Sequence, residues 1–355
     1  MIANFIRYLQ PINTKQMRIN RLQSVLTVVY ILLSLAVFSQ DALFPIEEKG
    51  KFGYINKSGK VMIASQFDYA ESFSEGMAAV SVGGKRGFVD QTGKVVIAAQ
   101  YDKTTPFSEG LASGKKNGKW GYFDKSGKVV IEPSCDYAYK FSDGVARLQV
   151  GSKMGFIDKS GNPVIKPDYD GAYDFSEGLA RVKKGGKWGF IDKTGKVVID
   201  FQYDDAFDFM EGLANVRKGD EGSGKWGFID KTGKIIVEIK YDRLWPFSEG
   251  MALVRVGDFK KGKYGYMNKS GEMIIHPTFT GGEYFKEGFA CVSTSDDPKN
   301  PIFQFIDKKG NIAFNKNLKY LTSYKNGLAK VSSSDIKAGY SNGYIDKTGK
   351  YVWPQ

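Results

Sequence analysis

One glycine recurs along this 355-residue chain at nearly constant intervals, and this regularity limits the possible folds more than any other feature. Successive positions are separated by 34, 34, 34, 34, 38, 38, 39 and 39 residues. The positions are Gly53, Gly87, Gly121, Gly155, Gly189, Gly227, Gly265, Gln304 and Gly343. A period of about 20 to 50 residues is typical of solenoids, propellers and arrays, in which one supersecondary unit stacks on the next. The sequence therefore predicts about nine copies of one small unit.

Each copy contains three segments with the pattern of β-strands, seen most clearly in residues 179–199. Residues 179–183 alternate with a period of two, residues 187–191 place Trp188 and Phe190 on one face, and residues 196–199 are β-branched. A turn from Asp192 to Gly195 joins the second and third segments and has the residue types of a hairpin turn. We expect a three-stranded antiparallel meander in every copy.

The connector between meanders holds an aromatic-Asp pair, such as Tyr203 and Asp204, followed by Phe-Ser-Glu-Gly or a variant. Its aromatic side chains have the spacing of wedges that pack one meander onto the next, and its Ser and Gly suit a turn. No run of the connector shows helical periodicity, which excludes a long helix. The chain is therefore predicted to be all-β.

Two architectures are compatible with a tandem array of about nine such meanders. Leu43 lies ten residues before Gly53, the same offset as in later copies, so the array begins and ends with a whole meander and leaves no strand over for a split blade. Propellers usually have about four to eight four-stranded blades. These points favour an open, curved or superhelical β-solenoid whose edges are capped near Pro45 and Pro354. A closed, propeller-like ring is the alternative.

The copies share a signature that includes Lys-Trp-Gly-Phe-Ile-Asp-Lys-Thr-Gly-Lys, which begins at Lys187 and again at Lys225. Related runs are Lys-Trp-Gly-Tyr-Phe-Asp-Lys-Ser-Gly-Lys at Lys119 and Asn-Gly-Tyr-Ile-Asp-Lys-Thr-Gly-Lys at Asn342. The chain resembles the bacterial WG, or KWG, repeat family over residues 43–353. Other residues replace the tryptophan in several copies, among them Phe52, Arg86, Met154, Tyr264 and Phe303. The resemblance implies no catalytic residues.

The N-terminus lies outside the repeat array and has the features of a secretory signal peptide over residues 1–39. Arg18 and Arg21 precede an uncharged run that ends at Gln40, and small residues suited to cleavage stand just before it. Met17 is a possible true start. An uncleaved membrane anchor is the alternative, because the uncharged run is just long enough to span a bilayer. Export to the periplasm, cell surface or exterior of a bacterial envelope is therefore predicted.

The charge of the mature chain is moderately basic. The formal charge is +12, and four basic residues and no acid precede Asp41, so the mature chain carries 12 − 4 = +8. Its lysines lie mostly beside aspartates in turns, which indicates a solvated surface. Nucleic-acid binding requires a basic stripe on one face and is not expected. An anionic envelope polymer, or an unidentified protein, is a better match for the partner, and contact with a membrane is expected only through an uncleaved N-terminal segment.

Candidate catalytic or metal-binding residues are lacking in the sequence. The acids Asp192 and Glu177 recur at equivalent turn positions in most copies, which indicates turn formation rather than a converging pair. His276 is the sole histidine, and one histidine without a cysteine cluster builds neither a zinc site nor a catalytic triad. Cys135 and Cys291 lie more than four units apart, which argues against a disulfide, and Cys291 is predicted to be exposed. No enzymatic activity, cofactor or metal is predicted.

The tryptophans are interpreted as core residues, because Phe, Met and Tyr replace them. The binding hypothesis comes instead from four lengthened hairpins between the first and second strands of the C-terminal copies. Insertions that share a face often mark the binding side of a repeat protein, although exposed loops also grow neutrally. The candidate partner-binding edge consists of Lys218, Asp220, Glu221, Phe259, Lys260, Lys261, Asp296, Asp297, Lys299, Asp335 and Lys337. The sequence thus predicts an exported, non-catalytic binding or scaffold protein, with carbohydrate or peptidoglycan binding through exposed aromatics as the alternative.

Overall fold

The computed structural model describes residues 42–258, 261–297, 301–314, 316, 318–332 and 342–354. Within these residues the chain forms β-strands and turns and contains no helix, as predicted. The N-terminal segment that was interpreted as a signal peptide lies outside the described residues.

Nine small antiparallel sheets, here called blades 1 to 9, follow one another along the chain. Blades 1 to 3 contain β1 (Phe44–Glu48), β2 (Lys51–Ile55) and β3 (Val61–Phe67); β4 (Tyr69–Ala70), β5 (Met77–Val82), β6 (Lys85–Asp90) and β7 (Val95–Tyr101); and β8 (Lys103–Thr104), β9 (Leu111–Lys116), β10 (Lys119–Asp124) and β11 (Val129–Cys135). Blades 4 to 6 contain β12 (Tyr137–Ser142), β13 (Val145–Val150), β14 (Lys153–Asp158) and β15 (Pro163–Tyr169); β16 (Gly171–Ala172), β17 (Leu179–Lys184), β18 (Lys187–Asp192) and β19 (Val197–Tyr203); and β20 (Asp205–Ala206), β21 (Leu213–Lys218), β22 (Lys225–Asp230) and β23 (Ile235–Tyr241). Blades 7 to 9 contain β24 (Arg243–Ser248), β25 (Met251–Val256), β26 (Lys263–Met267) and β27 (Met273–Phe279); β28 (Gly281–Gly282), β29 (Ala290–Ser293) and β30 (Phe303–Ile306); and β31 (Leu328–Ser332), β32 (Asn342–Asp346) and β33 (Tyr351–Trp353).

The predicted meander supplies three strands of each regular blade, and a fourth strand that was not predicted precedes them in blades 2 to 7. In blade 5, Gly171 pairs with Lys183 and Ala172 pairs with Val182. We call this the inner strand and the following ones the second, third and outer strands. The second strand is almost entirely buried, whereas the outer strand begins with exposed residues and alternates. The inner strand comes from the connector, directly after the aromatic-Asp pair.

The turn between the third and outer strands is built by its aspartate, as predicted. In blade 5, one carboxylate oxygen of Asp192 accepts the backbone N–H groups of Thr194 and Lys196, at 2.9 and 3.1 Å, and the Thr194 hydroxyl at 2.6 Å. Gly195 completes the turn with a φ of 84°, in the left-handed region that favours glycine. The recurring Asp and Gly of the signature are therefore explained by turn geometry.

The glycine after the tryptophan allows the outer strand to bend across the third strand. In blade 5 the pairing register shifts across it, between Trp188 and Phe190, and again between Phe190 and Ile191. A Cβ atom on Gly189 would lie 2.6 Å from the carbonyl oxygen of Ile199. In blade 8 no regular outer strand is present among the described residues, and there Gln304 takes this position.

Gly189→Ala is therefore expected to reduce the free energy of unfolding by about 1–3 kcal/mol, because the added methyl group displaces backbone rather than a flexible side chain. Chemical denaturation followed by circular dichroism measures this change. Gly222→Ala is the matched control, since a Cβ atom there meets nothing within 4 Å. Equal stability of both variants would contradict the proposed close approach.

Neighbouring blades pack through a repeated pair of aromatic rings. Phe190 in the third strand of blade 5 contacts Phe209 of blade 6, with ring centroids 4.9 Å apart. Equivalent pairs, with centroids 4.4 to 5.0 Å apart, are Tyr54–Phe73, Phe88–Phe107, Tyr122–Phe141, Phe156–Phe175, Phe228–Phe247, Tyr266–Phe285 and Phe305–Tyr324. Hydrophobic clusters such as the one shared by blades 5 and 6 surround these pairs. The core is therefore divided among the blade interfaces, and the predicted wedge role of the connector aromatics is confirmed.

The nine blades close into a propeller-like ring, so the open solenoid favoured by the sequence is wrong and its stated alternative is correct. Tyr344 of blade 9 packs against Phe44 of blade 1, with ring centroids 5.4 Å apart. The Tyr344 hydroxyl donates a hydrogen bond of 2.9 Å to the carbonyl oxygen of Pro45. The Lys57 side chain of blade 1 also lies directly over Gly327 of blade 9. Pro45 therefore lies at the seam of a ring and does not cap an exposed end.

The closed ring could not be predicted because only three strands of each unit have a sequence pattern that can be detected. The inner strand is only two residues long in blades 2, 3, 5 and 6, too short for a period-two pattern to reveal it. Regular blades are thus four-stranded within a single repeat, and the ring closes without a split blade. Closure depends on the rotation between neighbouring blades, which must sum to a full circle after nine of them.

Candidate functional site

The ring has two faces that differ in their turns. On one face lie the hairpins between second and third strands, together with the aromatic-Asp connectors, and we call it the hairpin face. On the opposite face lie the Phe-Ser-Glu-Gly turns and the Asp-Lys-Thr-Gly turns. Because the strands are antiparallel, every second-to-third hairpin lies at the same end of its blade. The lengthened hairpins of the C-terminal blades consequently share the hairpin face.

In blades 1 to 6 the lysine of the signature forms an ion pair with the aspartate of the connector to the next blade, on the hairpin face. In blade 5, Lys187 Nζ contacts Asp204 at 2.5 Å, and the other Asp204 oxygen accepts the backbone N–H of Gly219 in blade 6 at 2.9 Å. These two hydrogen bonds, that of Lys187 first, hold the pKa of Asp204 below its usual range. The same arrangement joins Lys225, Asp242 and Gly257. These exposed ion pairs position the hairpins more than they stabilise the fold.

The recurring glutamates form a second set of braces on the opposite face. Glu177 of blade 5 has a φ of 54°, and its carboxylate accepts the backbone N–H of Gly212 at 3.0 Å and contacts Lys231 Nζ at 3.1 Å, both in blade 6. Burial acts to raise the pKa of Glu177, but the hydrogen bonds from Lys231 and Gly212 outweigh it and lower the value. These carboxylates are spread around the ring in structural contacts, as the sequence predicted. In the described part of the chain, no group of three or more His, Cys, Asp and Glu side chains could hold a metal ion.

The signature tryptophans fill packing slots. Trp120 and Trp226 are 3% and 1% exposed, and Trp188 is half-buried. Trp226 packs against Phe207 with ring centroids 5.5 Å apart. The prediction of a core slot is confirmed at Trp120 and Trp226 and only in part at Trp188, and the described tryptophans do not form an exposed stacking ladder.

In blades 4 and 5 an arginine of the second strand stacks on an aromatic ring of the inner segment. The Arg147 guanidinium lies 3.5 Å from the ring centroid of Tyr139, and the Arg181 guanidinium lies 3.4 Å from that of Tyr173. Such close stacking is favourable when the cation is partly desolvated. Arg181 is only 8% exposed.

Cys291 occupies the position of Arg181 in blade 8 and was predicted to be exposed. That prediction is wrong, because the second strand is buried between blades and Cys291 is 2% exposed. Burial raises the pKa of its thiol. Cys135 and Cys291 are both free thiols, consistent with the prediction that they form no disulfide. Because it precedes Pro277, His276 is predicted from the sequence to lie in a loop, but the structure places it, exposed, within β27.

A cleft opens on the hairpin face between blades 6 and 7, where two lengthened hairpins stand side by side. Its volume is about 530 Å³. Two half-buried rings, Trp245 and Tyr264, form one wall with centroids 5.6 Å apart. The lining comprises Glu221, Gly222, Ser223, Gly224, Lys225, Trp226, Asp242, Arg243, Trp245, Arg255, Gly257, Asp258 and Tyr264. The cleft therefore combines aromatic walls with charged groups at a place where the repeat is irregular.

Arg243 is the central cation of the cleft. Its guanidinium lies 4.7 Å from the ring centroid of Trp226 and 5.6 Å from that of Trp245. Burial lowers the pKa of Arg243, nearby Asp205 opposes this shift, and Arg255 and Arg217 add to it. The acids on the rim, Glu221 and Asp258, are exposed. The interior of the cleft is thus arginine-rich and aromatic, while its rim is acidic.

The structure places part of the predicted edge around this cleft. Lys218, Asp220 and Glu221 are exposed on the blade 6 hairpin. Lys261, Asp296 and Asp297 line a second cavity, of about 260 Å³, between blades 7 and 8. The remaining predicted residues, Phe259, Lys260, Lys299, Asp335 and Lys337, lie outside the described residues.

Three residues of the cleft, Arg243, Trp245 and Tyr264, were missed by the sequence reasoning. Trp245 occupies the connector position two residues before the packing Phe, where Tyr139, Tyr173 and Phe207 stand in blades 4 to 6. A row of aromatics restricted to four consecutive copies was the available signal.

The part of the chain that the structure describes holds no helix long and apolar enough to cross a membrane.

The nine-bladed ring, with its repeated braces and aromatic pairs, defines a β-propeller type of repeat protein. The chain belongs to the family described as "WG containing repeat", whose model matches residues 52–85, 87–120, 120–153, 154–188, 188–221, 226–258, 264–296 and 305–334. The resemblance inferred from the signature is therefore confirmed. No curated protein sequence matches this chain.

Among solved structures, the chain is similar to "Crystal structure of the eukaryotic initiation factor", with a TM-score of 0.62 and 13% identity over 88% of this chain and 95% of that chain. The tricorn protease gives a TM-score of 0.33 and 10% identity over 83% of this chain and 36% of that one. Hsv2p of Kluyveromyces lactis gives a TM-score of 0.40 and 7% identity over 78% of this chain and 96% of that one. The first similarity concerns the fold alone, and the other two are too distant in shape to support an inference.

Proposed function

We propose that this WG-repeat protein is an exported, non-catalytic binding protein that holds a protein partner or an envelope polymer on the hairpin face of blades 6 to 8. The cleft between blades 6 and 7 is the observation that carries the proposal. Energetically dominant residues of protein interfaces are enriched in Trp, Tyr and Arg and lie in well-packed pockets with polar rims. The cleft supplies all three residue types, in Trp245, Tyr264 and Arg243, behind the acidic rim of Glu221 and Asp258.

The shape of the cleft also depends on the length of the blade 6 hairpin. The blade 5 hairpin is Lys184-Gly185-Gly186-Lys187, whereas blade 6 inserts four residues between the same flanking glycines and lysines. The inserted loop is ordered by its own contact, in which Gly224 N–H donates to the Asp220 carbonyl at 2.7 Å. Removing residues 220–223 restores the blade 5 sequence, so the shortened blade is expected to fold.

Deletion of residues 220–223 is expected to weaken partner binding by at least tenfold, because it removes one wall of the cleft, a change of about 1.4 kcal/mol in binding free energy. The partner is first captured from the native envelope with the mature chain, and its affinity is then measured by calorimetry for each variant. Arg243→Ala is expected to weaken binding similarly. Insertion of Asp-Glu-Gly-Ser between Gly185 and Gly186 is the matched control and should leave affinity unchanged.

Carbohydrate or peptidoglycan binding is the second candidate, favoured by the half-buried Trp245 and Tyr264 walls. Glycan arrays and soluble peptidoglycan fragments, read out by tryptophan fluorescence, distinguish the two. If a glycan changes the tryptophan fluorescence of the wild type but not that of the Trp245→Ala variant, the ligand of the cleft is a sugar rather than a protein. If both cleft variants bind a captured partner with wild-type affinity, the partner does not bind at the hairpin face.

Export itself is tested by N-terminal sequencing of the extracytoplasmic fraction, where cleavage before Gln40 is expected.

A further inference from the structure

Arg243, in the cleft between blades 6 and 7, is an arginine whose charge the fold does not neutralise. Its guanidinium lies over the rings of Trp226 and Trp245, and it forms no hydrogen bond or ion pair with the described residues. Asp205 is close enough to influence its pKa, but one Asp205 oxygen lies 4.0 Å from Arg217 Nη2 and the other accepts a backbone N–H. The donors of Arg243 therefore lack an oxygen acceptor in this part of the structure.

Few acids lie outside the described part of the chain. They are Asp41, before blade 1, and Asp335, which follows the second strand of blade 9 in the sequence. The two undescribed residues of the blade 7 hairpin, Phe259 and Lys260, are not acidic. Blades 6 and 7 therefore contain no undescribed acid that could neutralise Arg243.

Strand pairing places a second arginine beside Arg243. In blade 7 Arg243 lies directly opposite Arg255, whereas the equivalent pair in blade 6 is Asp205 and Arg217. Like charges directly opposite each other on paired strands are destabilising. Blade 3 also pairs two lysines here, but Lys103 is exposed and its ammonium group can extend into water. Arg243 and Arg255 are instead half-buried in the lining of the cleft.

A carboxylate is the group that best completes this arrangement. A guanidinium presents parallel N–H donors that match the two oxygens of a carboxylate. Burial is the main cause of the lowered pKa of Arg243, Asp205 opposes it, and Arg255 and Arg217 lower it further. A carboxylate bound to Arg243 would offset this cost, because opposite charges within a few ångströms favour the charged forms.

The rim of the cleft restricts what can carry the carboxylate. Glu221 and Asp258 are exposed on the two hairpins that border the cleft. A uniformly anionic polymer would place further negative charges against them, whereas a peptide can present a single carboxylate between neutral or basic side chains. Trp245 and Tyr264 offer aromatic faces to the residues beside that carboxylate. Charge and shape therefore favour a peptide of mixed charge over an acidic polymer.

We propose that the cleft binds a peptide segment of mixed charge, with one carboxylate side chain on Arg243 and a neighbouring aromatic or apolar side chain against Trp245 and Tyr264. The proposal rests on the function proposed above, because it specifies the chemistry of the partner that the cleft holds.

Calorimetry of the full-length protein with the peptide acetyl-Lys-Phe-Glu-Phe-Lys-amide tests the proposal. We expect saturable binding that weakens with added salt. A peptide with Gln in place of the central Glu should bind at least tenfold more weakly, because the charge-assisted hydrogen bonds to Arg243 are weakened. No saturable binding up to about 1 mM peptide, or equal binding of the Glu and Gln peptides, would overturn the proposal. Because this comparison uses the wild-type protein, it does not depend on the folding of any variant.

Two uniformly acidic probes test the role of the rim. The peptide acetyl-Glu-Phe-Glu-Phe-Glu-amide should bind at least tenfold more weakly than the mixed-charge peptide, because its outer carboxylates face Glu221 and Asp258. Glu221→Gln should reduce this difference. Equal or tighter binding of the all-acidic peptide, or of polygalacturonate, would assign the cleft to an anionic polymer and overturn the proposal.

Variants locate the carboxylate. Arg243→Gln is expected to bind the mixed-charge peptide at least tenfold more weakly, whereas Lys103→Gln, at the same repeat position in blade 3, should bind normally. Melting temperatures check that both variants are folded. Unchanged binding by Arg243→Gln would overturn the proposal. A dimer of the protein that this variant dissociates would overturn it as well, since the occupant would then be a second copy.

Failure of this proposal differs from failure of the proposed function. If deletion of residues 220–223 weakens binding of the captured partner but Arg243→Gln does not, the cleft binds its partner through other groups, and only the carboxylate assignment fails. If neither change alters the affinity for that partner, the function proposed for the cleft fails.

Discussion

Phe44→Ala is expected to lower the free energy of unfolding by about 3–5 kcal/mol, the usual cost of truncating a buried phenylalanine. Phe44 lies within the first strand of the array and would be an edge residue in an open solenoid. In the closed ring it is 5% exposed and packs on Tyr344 of blade 9. The variant therefore measures how much stability the seam contributes. Denaturant unfolding followed by intrinsic fluorescence and circular dichroism gives the value.

The control for this experiment has two parts. Phe190→Ala truncates an aromatic contact at an ordinary blade interface, between blades 5 and 6, where Phe190 is 0% exposed, and should cost a similar amount. Val95→Ala removes a side chain that is 54% exposed and should change stability by less than about 0.5 kcal/mol. A Phe44→Ala cost close to that of Val95→Ala would indicate that the seam opens in solution.

Much of this fold could be predicted from the sequence, because its elements are local. The three-strand meander, the turn at Asp192 and the packing role of the signature tryptophans follow from short-range patterns repeated in many copies. The inner strand and the ring closure could not be predicted. A two-residue strand such as Gly171–Ala172 has no periodicity to detect, and the closure depends on small rotations at each interface that the repeat length does not encode.

Part of the candidate site could likewise be predicted from the sequence, and part could not. Loop lengthening can be seen by aligning the copies, and it identified Lys218, Asp220 and Glu221 on the hairpin that borders the cleft. Arg243 and Trp245 were missed because the reasoning sought what all copies share, whereas these residues depart from the shared pattern. Departures in consecutive blades are informative in a ring, since neighbouring copies are also neighbours in space. A search for runs of such departures would have found the aromatic row of blades 4 to 7.

The row of arginines and aromatics leads to the last prediction, at Arg181. Arg181→Ala is expected to cost about 3 kcal/mol at pH 7, because truncating one partner leaves the other charge buried and uncompensated. Its Nε donates to Asp208 at 2.7 Å, and its Nη1 donates to the carbonyl of Ala206, both in blade 6. The guanidinium is also lost from the face of Tyr173. The cost is placed at the lower end of the range for buried pairs because the Asp208 side chain is 35% exposed.

The effect of Arg181→Ala is expected to depend on pH in a defined direction. Burial raises the pKa of Asp208 above its usual value, Arg181 opposes this shift, and Asp174 and Arg147 make smaller contributions of opposite sign. Without Arg181 the pKa of folded Asp208 rises further, so the folded state binds more protons than the unfolded state over a wider range above pH of about 3.9. Stability of the variant therefore falls as pH rises through that range, and its deficit relative to wild type is larger at pH 7 than at pH 4.

The double variant Arg181→Ala, Asp208→Ala separates two contributions to the loss of stability. One is the cost of leaving the Asp208 carboxylate without its partner, and the other is the loss of packing around Tyr173. Removing Asp208 as well should recover part of the stability at pH 7 and remove the additional pH dependence, since no buried carboxylate is left to titrate. Denaturant titrations at both pH values complete the cycle. A deficit of Arg181→Ala that is the same at pH 4 and pH 7 would mean that Arg181 stabilises the ring through stacking and the Ala206 carbonyl alone.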